Sequence, residues 1–273
     1  MHTRPVPRVD AELDALLQPL RADPKRSAVL LDVDGVLAPI VAQPDDAHMP
    51  ETTRRPLIEV ARRYGTVACV SGRRASDARR IVSLGSIAYL GNHGSEVLRP
   101  GAVAPEPDRE LQAWTRRVQN FMRDAFDDDL RRHRVRLEDK EAIVALHWRG
   151  VPDEEGAETA IRRVADRAED SGYRTHWGRK VLEIRPPVRI DKGAGIVGLL
   201  RDTDLVAALY VGDDVTDVDA FRGLEELVEM GRLGTALRVG VRSEEGPAEL
   251  ELQADAMVEG TDGVRELLRA LLD

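Results

Sequence analysis

The fold of this 273-residue chain is decided by the stretch Leu30-Leu31-Asp32-Val33-Asp34-Gly35-Val36-Leu37. The apolar run Ala28–Leu31 predicts a buried strand, and a glycine that permits a sharp turn follows the two aspartates. Ligands of open α/β sheets bind at the carboxyl ends of strands, so we expect Asp32 and Asp34 to project into one crevice. Carboxylates this close repel each other unless a cation lies between them, and Mg²⁺ suits such oxygen ligands. The alternative is a turn that uses Asp and Gly only for local hydrogen bonds.

The composition is that of a globular chain, with 42% hydrophobic and 33% charged residues. A formal net charge of −9 argues against a general nucleic-acid binder, because phosphate-binding domains are usually basic. No stretch approaches the roughly 20 apolar residues of a membrane span. The single cysteine, Cys69, allows no intrachain disulfide. We therefore expect a cytoplasmic monomer that acts on a small molecule, without nucleic-acid or membrane partners.

Three strands are predicted early in the chain, and each ends in a polar loop that contains glycine: Ala28–Leu31, Thr66–Val70 and Ile87–Leu90. Helical patterns separate these strands. The same rhythm resumes after residue 188, with a helix from Asp191 and then a strand that ends at Val211. Strands that alternate with helices in this way indicate an α/β fold with a doubly wound, Rossmann-like parallel sheet.

Between these two halves the pattern changes to α-β-β-α-β-β. One long helical segment is predicted from about Asp108 to His133, and two strands, a helix and two further strands follow it up to Pro186-Pro187. Such an order is typical of a small open-faced sheet with helices on one side. We therefore predict a core of residues 1–104 and 189–273, interrupted by an inserted α/β domain of residues 105–188.

Polar side chains follow several predicted strands at one edge of the sheet. Asp32 and Asp34 follow the first strand, and Ser71-Gly72-Arg73 follows the second. The loop Gly212-Asp213-Asp214-Val215-Thr216-Asp217 follows a later strand, and Lys192 opens the helix after the insertion. A seryl hydroxyl and a lysine ammonium are natural donors to a phosphoryl group, whose transfer depends on neutralising charge from several sides.

The same edge offers a set of oxygen ligands for a metal. Mg²⁺ prefers near-octahedral oxygen coordination and usually keeps several water ligands. The carboxylates of Asp32 and Asp213 and the backbone carbonyl of Asp34 are predicted to bind the metal. Asp214 and Asp217 either hold the water ligands of the metal or orient the lysine.

These motifs, in this order, resemble the haloacid-dehalogenase-like phosphatases. By resemblance Asp32 is the nucleophile that forms an aspartyl-phosphate, and Lys192 and Ser71 contact the phosphoryl group. Asp34 is then the general acid and base, with a side chain that is free to carry a proton. The insertion lies where one class of these enzymes carries its cap domain. Val36 departs from the pattern, since many members have Thr at this position.

A finer resemblance is to the trehalose-6-phosphate phosphatases, over about residues 26 to 270. It rests on the stretches 31–40, 91–96, 181–186 and 212–217. The resemblance implies a Mg²⁺-dependent phosphatase that hydrolyses trehalose 6-phosphate to trehalose and phosphate through an aspartyl-phosphate. A phosphatase for another sugar phosphate is the first alternative, and a non-catalytic sugar-phosphate sensor on the same fold is the second.

The insertion carries residues suited to a sugar. Alternation along the strands places Glu183 and Arg185 on one face of their strand, and His147 and Arg149 on one face of theirs. With nearby Lys180, these side chains are predicted to bind sugar hydroxyls, since a carboxylate accepts hydrogen bonds and the cations donate them. The alternative is an ordinary solvated sheet face.

Further substrate-binding residues are predicted at the ends of two core strands. Gly72 and Arg73 follow the second strand, and Asn92, His93 and Glu96 follow the third. Both loops lie at the edge where Asp32 is expected, on the side predicted to face the cap. Ordinary turn chemistry is the alternative for the third loop.

Overall fold

The computed structural model describes residues 11–41, 43, 46–140, 143–243 and 246–273. The chain divides into two compact units. Unit 1 comprises Met1–Glu106 and Ile190–Asp273, and unit 2 comprises Pro107–Arg189. The assignment of residues 1–104 and 189–273 as a catalytic core, and of residues 105–188 as its cap, stays a prediction.

The elements are numbered in chain order. The strands are β1 (Ser27–Leu31), β2 (Thr66–Val70), β3 (Ala88–Gly91), β4 (Glu96–Leu98), β5 (Glu106–Pro107), β6 (Arg136–Lys140), β7 (Ile143–His147), β8 (Arg174–Gly178), β9 (Val181–Arg185), β10 (Ala207–Gly212), β11 (Thr235–Arg242) and β12 (Ala256–Glu259). The helices are α1 (Ala11–Leu16), α2 (Gln18–Ala22), α3 (Glu51–Arg63), α4 (Ala75–Val82), α5 (Arg109–Ala125), α6 (Asp128–Arg132), α7 (Glu154–Asp170), α8 (Lys192–Leu200), α9 (Val215–Glu229), α10 (Ala248–Gln253) and α11 (Gly260–Ala270).

The central sheet has the strand order β12-β11-β10-β1-β2-β3-β4-β5. Strands from β12 to β3 are parallel, and β4 adds an antiparallel strand beside β3. Val29 and Leu31 of β1 pack into the apolar cluster that includes α1 to α4 and α11, whereas Ala28 and Leu30 pack into the cluster that includes α8, α9 and α10. Apolar layers on both faces explain why β1 is apolar throughout, and they confirm the predicted doubly wound α/β fold.

Unit 2 is built on a four-stranded antiparallel sheet of order β6-β7-β9-β8. Val144 and Leu146 of β7, with Leu182 and Ile184 of β9, pack into one apolar cluster with side chains of α5, α6 and α7. The opposite face of these strands carries His147, Glu183 and Arg185 together with apolar side chains, in the alternation that the sequence predicts.

The predicted continuous helix from Asp108 to His133 is wrong, since the structure has two helices there. α5 ends at Ala125, and Asp127 is the N-cap residue of α6 because its carboxylate accepts hydrogen bonds from the N–H groups of Asp129 and Leu130. An aspartate at this position favours a new helix start over continuation of the first helix. No helix in the described part of the chain combines the length and hydropathy of a membrane span.

Candidate active site

Asp32 lies directly after β1, in the middle of the central sheet. Its N–H donates to the carbonyl of Val211 at 2.9 Å, and the residue is only 5% exposed. Gly35 in the following turn has a φ of +73°, and a Cβ at this position would lie 1.8 Å from Oδ2 of Asp213. Glycine is therefore required both by the backbone and by the close approach of the loops after β1 and β10.

Lys192 is the first residue of α8, and its side chain is buried. Its Nζ lies 3.1 Å from Oδ2 of Asp32 and 2.6 Å from Oδ1 of Asp217. Asp191 sets the start of this helix, since its carboxylate accepts a hydrogen bond from the N–H of Ala194. Burial alone would lower the pKa of Lys192, but the charges of Asp32 and Asp217 outweigh burial and raise it. The lysine is therefore an ammonium held between two carboxylates.

Three buried carboxylates form a cluster at this point. One oxygen each of Asp32, Asp213 and Asp217 lies within 4.8 Å of the others. Burial, followed by the charge of Asp217, raises the pKa of Asp32 well above its usual range. The same two causes raise the pKa of Asp213 to about 7. A single ammonium, that of Lys192, cannot balance three carboxylates, so the cluster fits a bound metal cation with oxygen ligands.

Asp217 is the most fully hydrogen-bonded member of the cluster. Its Oδ1 accepts from Nζ of Lys192 at 2.6 Å and from the hydroxyl of Tyr210 at 2.5 Å. Its Oδ2 accepts from the N–H groups of Asp213 and Asp214 at 2.8 and 2.9 Å. Of the two predicted roles for Asp217, these contacts favour orientation of the lysine. Asp214 is exposed, and its carboxylate accepts from the first N–H of α9 as an N-cap residue.

Asp34 is held by an arginine. Nε of Arg73 donates to Oδ2 of Asp34 at 2.7 Å and Nη2 donates to Oδ1 at 2.9 Å, a bidentate ion pair. The expectation that the Asp34 side chain is free is therefore wrong for this structure. The sequence placed both residues at one edge of the sheet, but no local pattern indicates that the guanidinium would point to this carboxylate.

The loop after β2 is hydrogen-bonded to the loop after β3. The N–H of Asn92 donates to the carbonyl of Arg73 at 2.7 Å, and the N–H of His93 donates to the carbonyl of Ser71 at 3.0 Å. Asn92 and His93 have φ values of 48° and 58°, a left-handed conformation that is uncommon outside glycine. A Cβ at Gly72 would lie 2.8 Å from Cε1 of His93. The histidine ring therefore packs against the backbone that follows Ser71.

Glu96 contacts the backbone of a helix. Its Oε1 accepts a hydrogen bond from the N–H of Ala75 at 2.7 Å, at the start of α4. One of its oxygens thus satisfies a helix donor that has no partner within the helix. The sequence did not indicate this contact, and the predicted role of Glu96 in substrate binding stays a prediction.

Unit 2 separates the predicted sugar-binding residues into two groups. His147, Glu183 and Arg185 lie on its polar sheet face, where Glu183 and Arg185 form an ion pair. Arg149 and Lys180 have partners outside this face. Nη2 of Arg149 donates to the carbonyl of residue 179 at 2.9 Å. Nζ of Lys180 lies 3.2 Å from Oε2 of Glu154 in α7.

Sequence reasoning missed Tyr210. This residue is the only polar side chain in β10, and the structure places its hydroxyl on Asp217. The available signal was a tyrosine inside an otherwise apolar strand that ends at the acidic loop. The hydroxyl of a buried tyrosine usually has a hydrogen-bond partner, so the sequence alone could have raised the question of which residue this partner is.

Comparisons with known proteins point to one family. The family model described as trehalose-phosphatase matches residues 30–253. A probable trehalose-phosphate phosphatase D of Arabidopsis thaliana is 32% identical over 215 residues, covering 73% of this chain and 57% of the relative. The trehalose 6-phosphate phosphatase RA3 of Zea mays is 32% identical over 240 residues, covering 81% and 65%. The chain thus spans less than two thirds of the length of these relatives.

Solved structures share the fold. A trehalose-6-phosphate phosphatase of Aspergillus fumigatus superposes with a TM-score of 0.67 at 22% identity, covering 97% of this chain and 98% of that one. The C-terminal domain of a trehalose-6-phosphate phosphatase of C. albicans superposes with a TM-score of 0.58 at 19% identity, with the same coverage.

Proposed function

We propose, on the premise that this chain belongs to the trehalose-phosphatase family, that it hydrolyses trehalose 6-phosphate to trehalose and inorganic phosphate. The observation that carries the proposal is the buried pair of Asp32 and Lys192, 3.1 Å apart beside Asp213. A carboxylate nucleophile, an ammonium and a second acidic group at one strand edge are the parts that phosphoryl transfer requires.

Asp32 is the proposed nucleophile. Its carboxylate oxygen attacks phosphorus, and the bond between phosphorus and the sugar oxygen breaks as an aspartyl-phosphate forms. Water then attacks phosphorus and releases both inorganic phosphate and the Asp32 carboxylate. Nζ of Lys192 and the hydroxyl of Ser71, which is 1% exposed, donate to the phosphoryl oxygens during both steps.

Asp34 is the proposed general acid and base. It donates a proton to the departing sugar oxygen in the first step and accepts one from the attacking water in the second. Arg73 occupies both oxygens of the Asp34 carboxylate, so this ion pair has to loosen before Asp34 carries a proton. A substrate phosphate competes for the same guanidinium, and this competition links substrate binding to release of Asp34.

Mg²⁺ is the proposed metal. Asp32 and Asp213, with the backbone carbonyl of Asp34, would hold it, because hard oxygen ligands suit this ion. When bound, it supplies positive charge to the phosphoryl oxygens and to the buried carboxylates. The raised pKa values of Asp32 and Asp213 agree with the proposal, since burial and the charge of Asp217 disfavour their ionised forms, which a bound cation would stabilise.

Unit 2 is the proposed cap domain, and its polar sheet face is proposed to bind the sugar. Glu183 and Arg185, with His147, offer hydroxyl-binding groups of both kinds, acceptor and donor. The different partners of Arg149 and Lys180 give them less support as sugar ligands. Gly72, Asn92 and the other loop residues of unit 1 stay predicted contacts, and a cytoplasmic location and a monomeric state also stay predictions.

Phosphate release from a panel of substrates tests the function. The panel holds trehalose 6-phosphate, glucose 6-phosphate, sucrose 6-phosphate and p-nitrophenyl phosphate, each with Mg²⁺ and with a chelator. We expect kcat/KM for trehalose 6-phosphate to exceed the others by at least about tenfold, and chelation to stop turnover. A flat profile would favour a phosphatase for another sugar phosphate, and no release from any substrate would favour a sugar-phosphate sensor.

A further inference from the structure

The carboxylate of Asp217 lies in the acidic cluster, but its hydrogen bonds distinguish it from the other two carboxylates. One of its oxygens lies within 4.8 Å of oxygens of Asp32 and Asp213, close enough to share a metal with them. Yet it accepts hydrogen bonds from four donors, two on each oxygen. Two of these donors are backbone N–H groups, which no side-chain substitution can remove. The other two are Lys192 and Tyr210.

Tyr210 is anchored so that its hydroxyl has a fixed direction. The residue is fully buried in β10, and its ring packs edge to face on Phe221 of α9, with centroids 6.0 Å apart and planes at 84°. The hydroxyl lies 2.5 Å from Oδ1 of Asp217. Burial raises the pKa of Tyr210 well above its usual value, so the phenol keeps its proton and donates a hydrogen bond to the carboxylate. The donor is therefore neutral, directional and always present.

We propose that Tyr210 is a positioning residue that keeps Asp217 as the partner of Lys192 and prevents it from becoming a metal ligand. This inference rests on the proposed function and concerns which carboxylate of that site contacts Lys192 and which carboxylates bind the metal. The hydroxyl and the ammonium together occupy Oδ1 of Asp217, which leaves Asp32 and Asp213 as the carboxylates with oxygens open to a cation. Without the hydroxyl, Oδ1 of Asp217 can accept one more contact, and a cation bound by Asp32 and Asp213 would lie close enough to provide it.

The consequence for Lys192 is geometric. Its Nζ is 2.6 Å from Asp217 and 3.1 Å from Asp32, so the contact with Asp217 is the shorter of the two. If Asp217 turns toward a cation, the ammonium moves with it or loses this contact. Either change displaces the donor that faces the phosphoryl group, and transition-state stabilisation depends closely on the placement of such a donor.

The test is Tyr210→Phe, which removes one hydroxyl and keeps the ring against Phe221. We expect kcat to fall by roughly 3- to 10-fold with KM within about twofold, the range that one buried hydrogen bond contributes. We also expect Mg²⁺, titrated by calorimetry into the chelator-treated protein without substrate, to bind roughly 3-fold more tightly or better. Opposite changes in turnover and metal affinity distinguish positioning from general damage.

Tyr89→Phe is the matched control. Tyr89 is also fully buried in a strand of the same sheet, but its hydroxyl donates at 2.6 Å to the carbonyl of Leu84, away from the acidic loops. This variant is expected to keep wild-type kcat and Mg²⁺ affinity while losing a similar amount of thermal stability. Both melting curves report whether the proteins are folded.

Three outcomes would overturn the inference: unchanged kcat and unchanged Mg²⁺ affinity in Tyr210→Phe, a fall in both together, or equal losses in Tyr89→Phe. The calorimetric measurement needs no turnover. If the wild-type protein released phosphate from no substrate, the proposed function would fail, and an unchanged Mg²⁺ affinity in Tyr210→Phe would still decide against the inference.

Discussion

Asp32 and Asp213 of unit 1 and Glu154 of unit 2 have pKa values shifted in opposite directions. In unit 1, burial raises the pKa of Asp32 well above its usual range and that of Asp213 to about 7. In unit 2, a hydrogen bond from the N–H of Gly150, followed by one from Lys180, lowers the pKa of Glu154. The first group is buried beside the charge of Asp217, and the second accepts hydrogen bonds from an N–H group and an ammonium.

Solvent exposure explains this difference. The side chains of Lys192 and Asp217 are 3% and 0% exposed, whereas those of Lys180 and Glu154 are both 39% exposed. Removing one partner of a buried pair destabilises a protein by about 3–5 kcal/mol, whereas an exposed pair contributes about 0–1 kcal/mol. The buried pair of Lys192 and Asp217 is therefore held in one geometry, which a catalytic site needs. The exposed pair of Lys180 and Glu154 can exchange partners at low cost.

The largest expected effect is that of Asp32→Asn. Phosphate release is expected to fall at least about 10³-fold, because an amide does not attack phosphorus to form an acyl phosphate. The melting temperature should stay level or rise, since the substitution removes a buried carboxylate whose charged form burial disfavours, while Lys192 keeps its closer partner Asp217. Asp77→Asn, a change of an exposed acid on α4, is the control. Normal turnover in Asp32→Asn would exclude the aspartyl-phosphate route.

The buried lysine is the next test of the contrast between the units. Lys192→Met leaves Asp32 and Asp217 without their cation, so the free energy of unfolding is expected to fall by about 3–5 kcal/mol. Lys180→Met removes the exposed partner of Glu154 and is expected to leave the free energy of unfolding nearly unchanged, because solvent screens an exposed pair. Urea denaturation followed by circular dichroism measures both. Similar losses in the two variants would contradict the contrast between buried and exposed pairs.

The raised pKa of Asp213 makes the stability of the metal-free protein depend on pH. This pKa is about 7 in the folded protein and lies above the usual 3.8, so the folded state binds an extra proton between these values. The free energy of unfolding therefore falls as pH rises from about 4 to 7, by at most about 1.4 kcal/mol per pH unit. The increase in melting temperature on adding Mg²⁺ should be larger at pH 8 than at pH 5. Asp213→Asn should reduce this difference and leave the part that comes from Asp32, and an increase independent of pH in the wild type would contradict the assignment.

The smallest expected effect lies on the polar face of unit 2. Glu183→Ala is expected to lower kcat/KM for trehalose 6-phosphate by about tenfold, the loss of roughly one hydrogen bond from a charged group. Turnover of p-nitrophenyl phosphate, which has no sugar, should change by less than about twofold. Glu155→Ala, an exposed glutamate on α7 of the same unit, is the control. Equal losses on both substrates would count against Glu183 as a sugar ligand.

Much of the core could be predicted because its signals are local. The apolar run of β1 predicts a strand buried on both faces, and Gly35 predicts the turn that follows it. The break between α5 and α6 was missed, although Asp127 is a strong N-cap residue, because the apolar pattern continues across it. The contact of Arg149 with the carbonyl of residue 179 was not predicted either, since alternation along a strand says nothing about such a partner.

Val36 shows how structure answers a question that sequence only raises. It stands where many members of the superfamily have Thr, and the structure places it fully buried in the apolar cluster beneath α1 to α4. A hydroxyl at this position would need a hydrogen-bond partner in an apolar environment, whereas valine fills the space without one. The departure is thus accounted for by packing.

The sequence by itself determined the alternation of strands and helices in the core, the acidic loops at the strand ends and the family, because these depend on residue types at short, regular spacings. Only the tertiary structure decided which polar and charged side chains are partners: Arg73 with Asp34, Lys180 with Glu154, and Tyr210 with Asp217. The physical reason is that a side-chain hydrogen bond depends on direction and on burial. Both are set by packing between segments that lie far apart along the chain or on different elements.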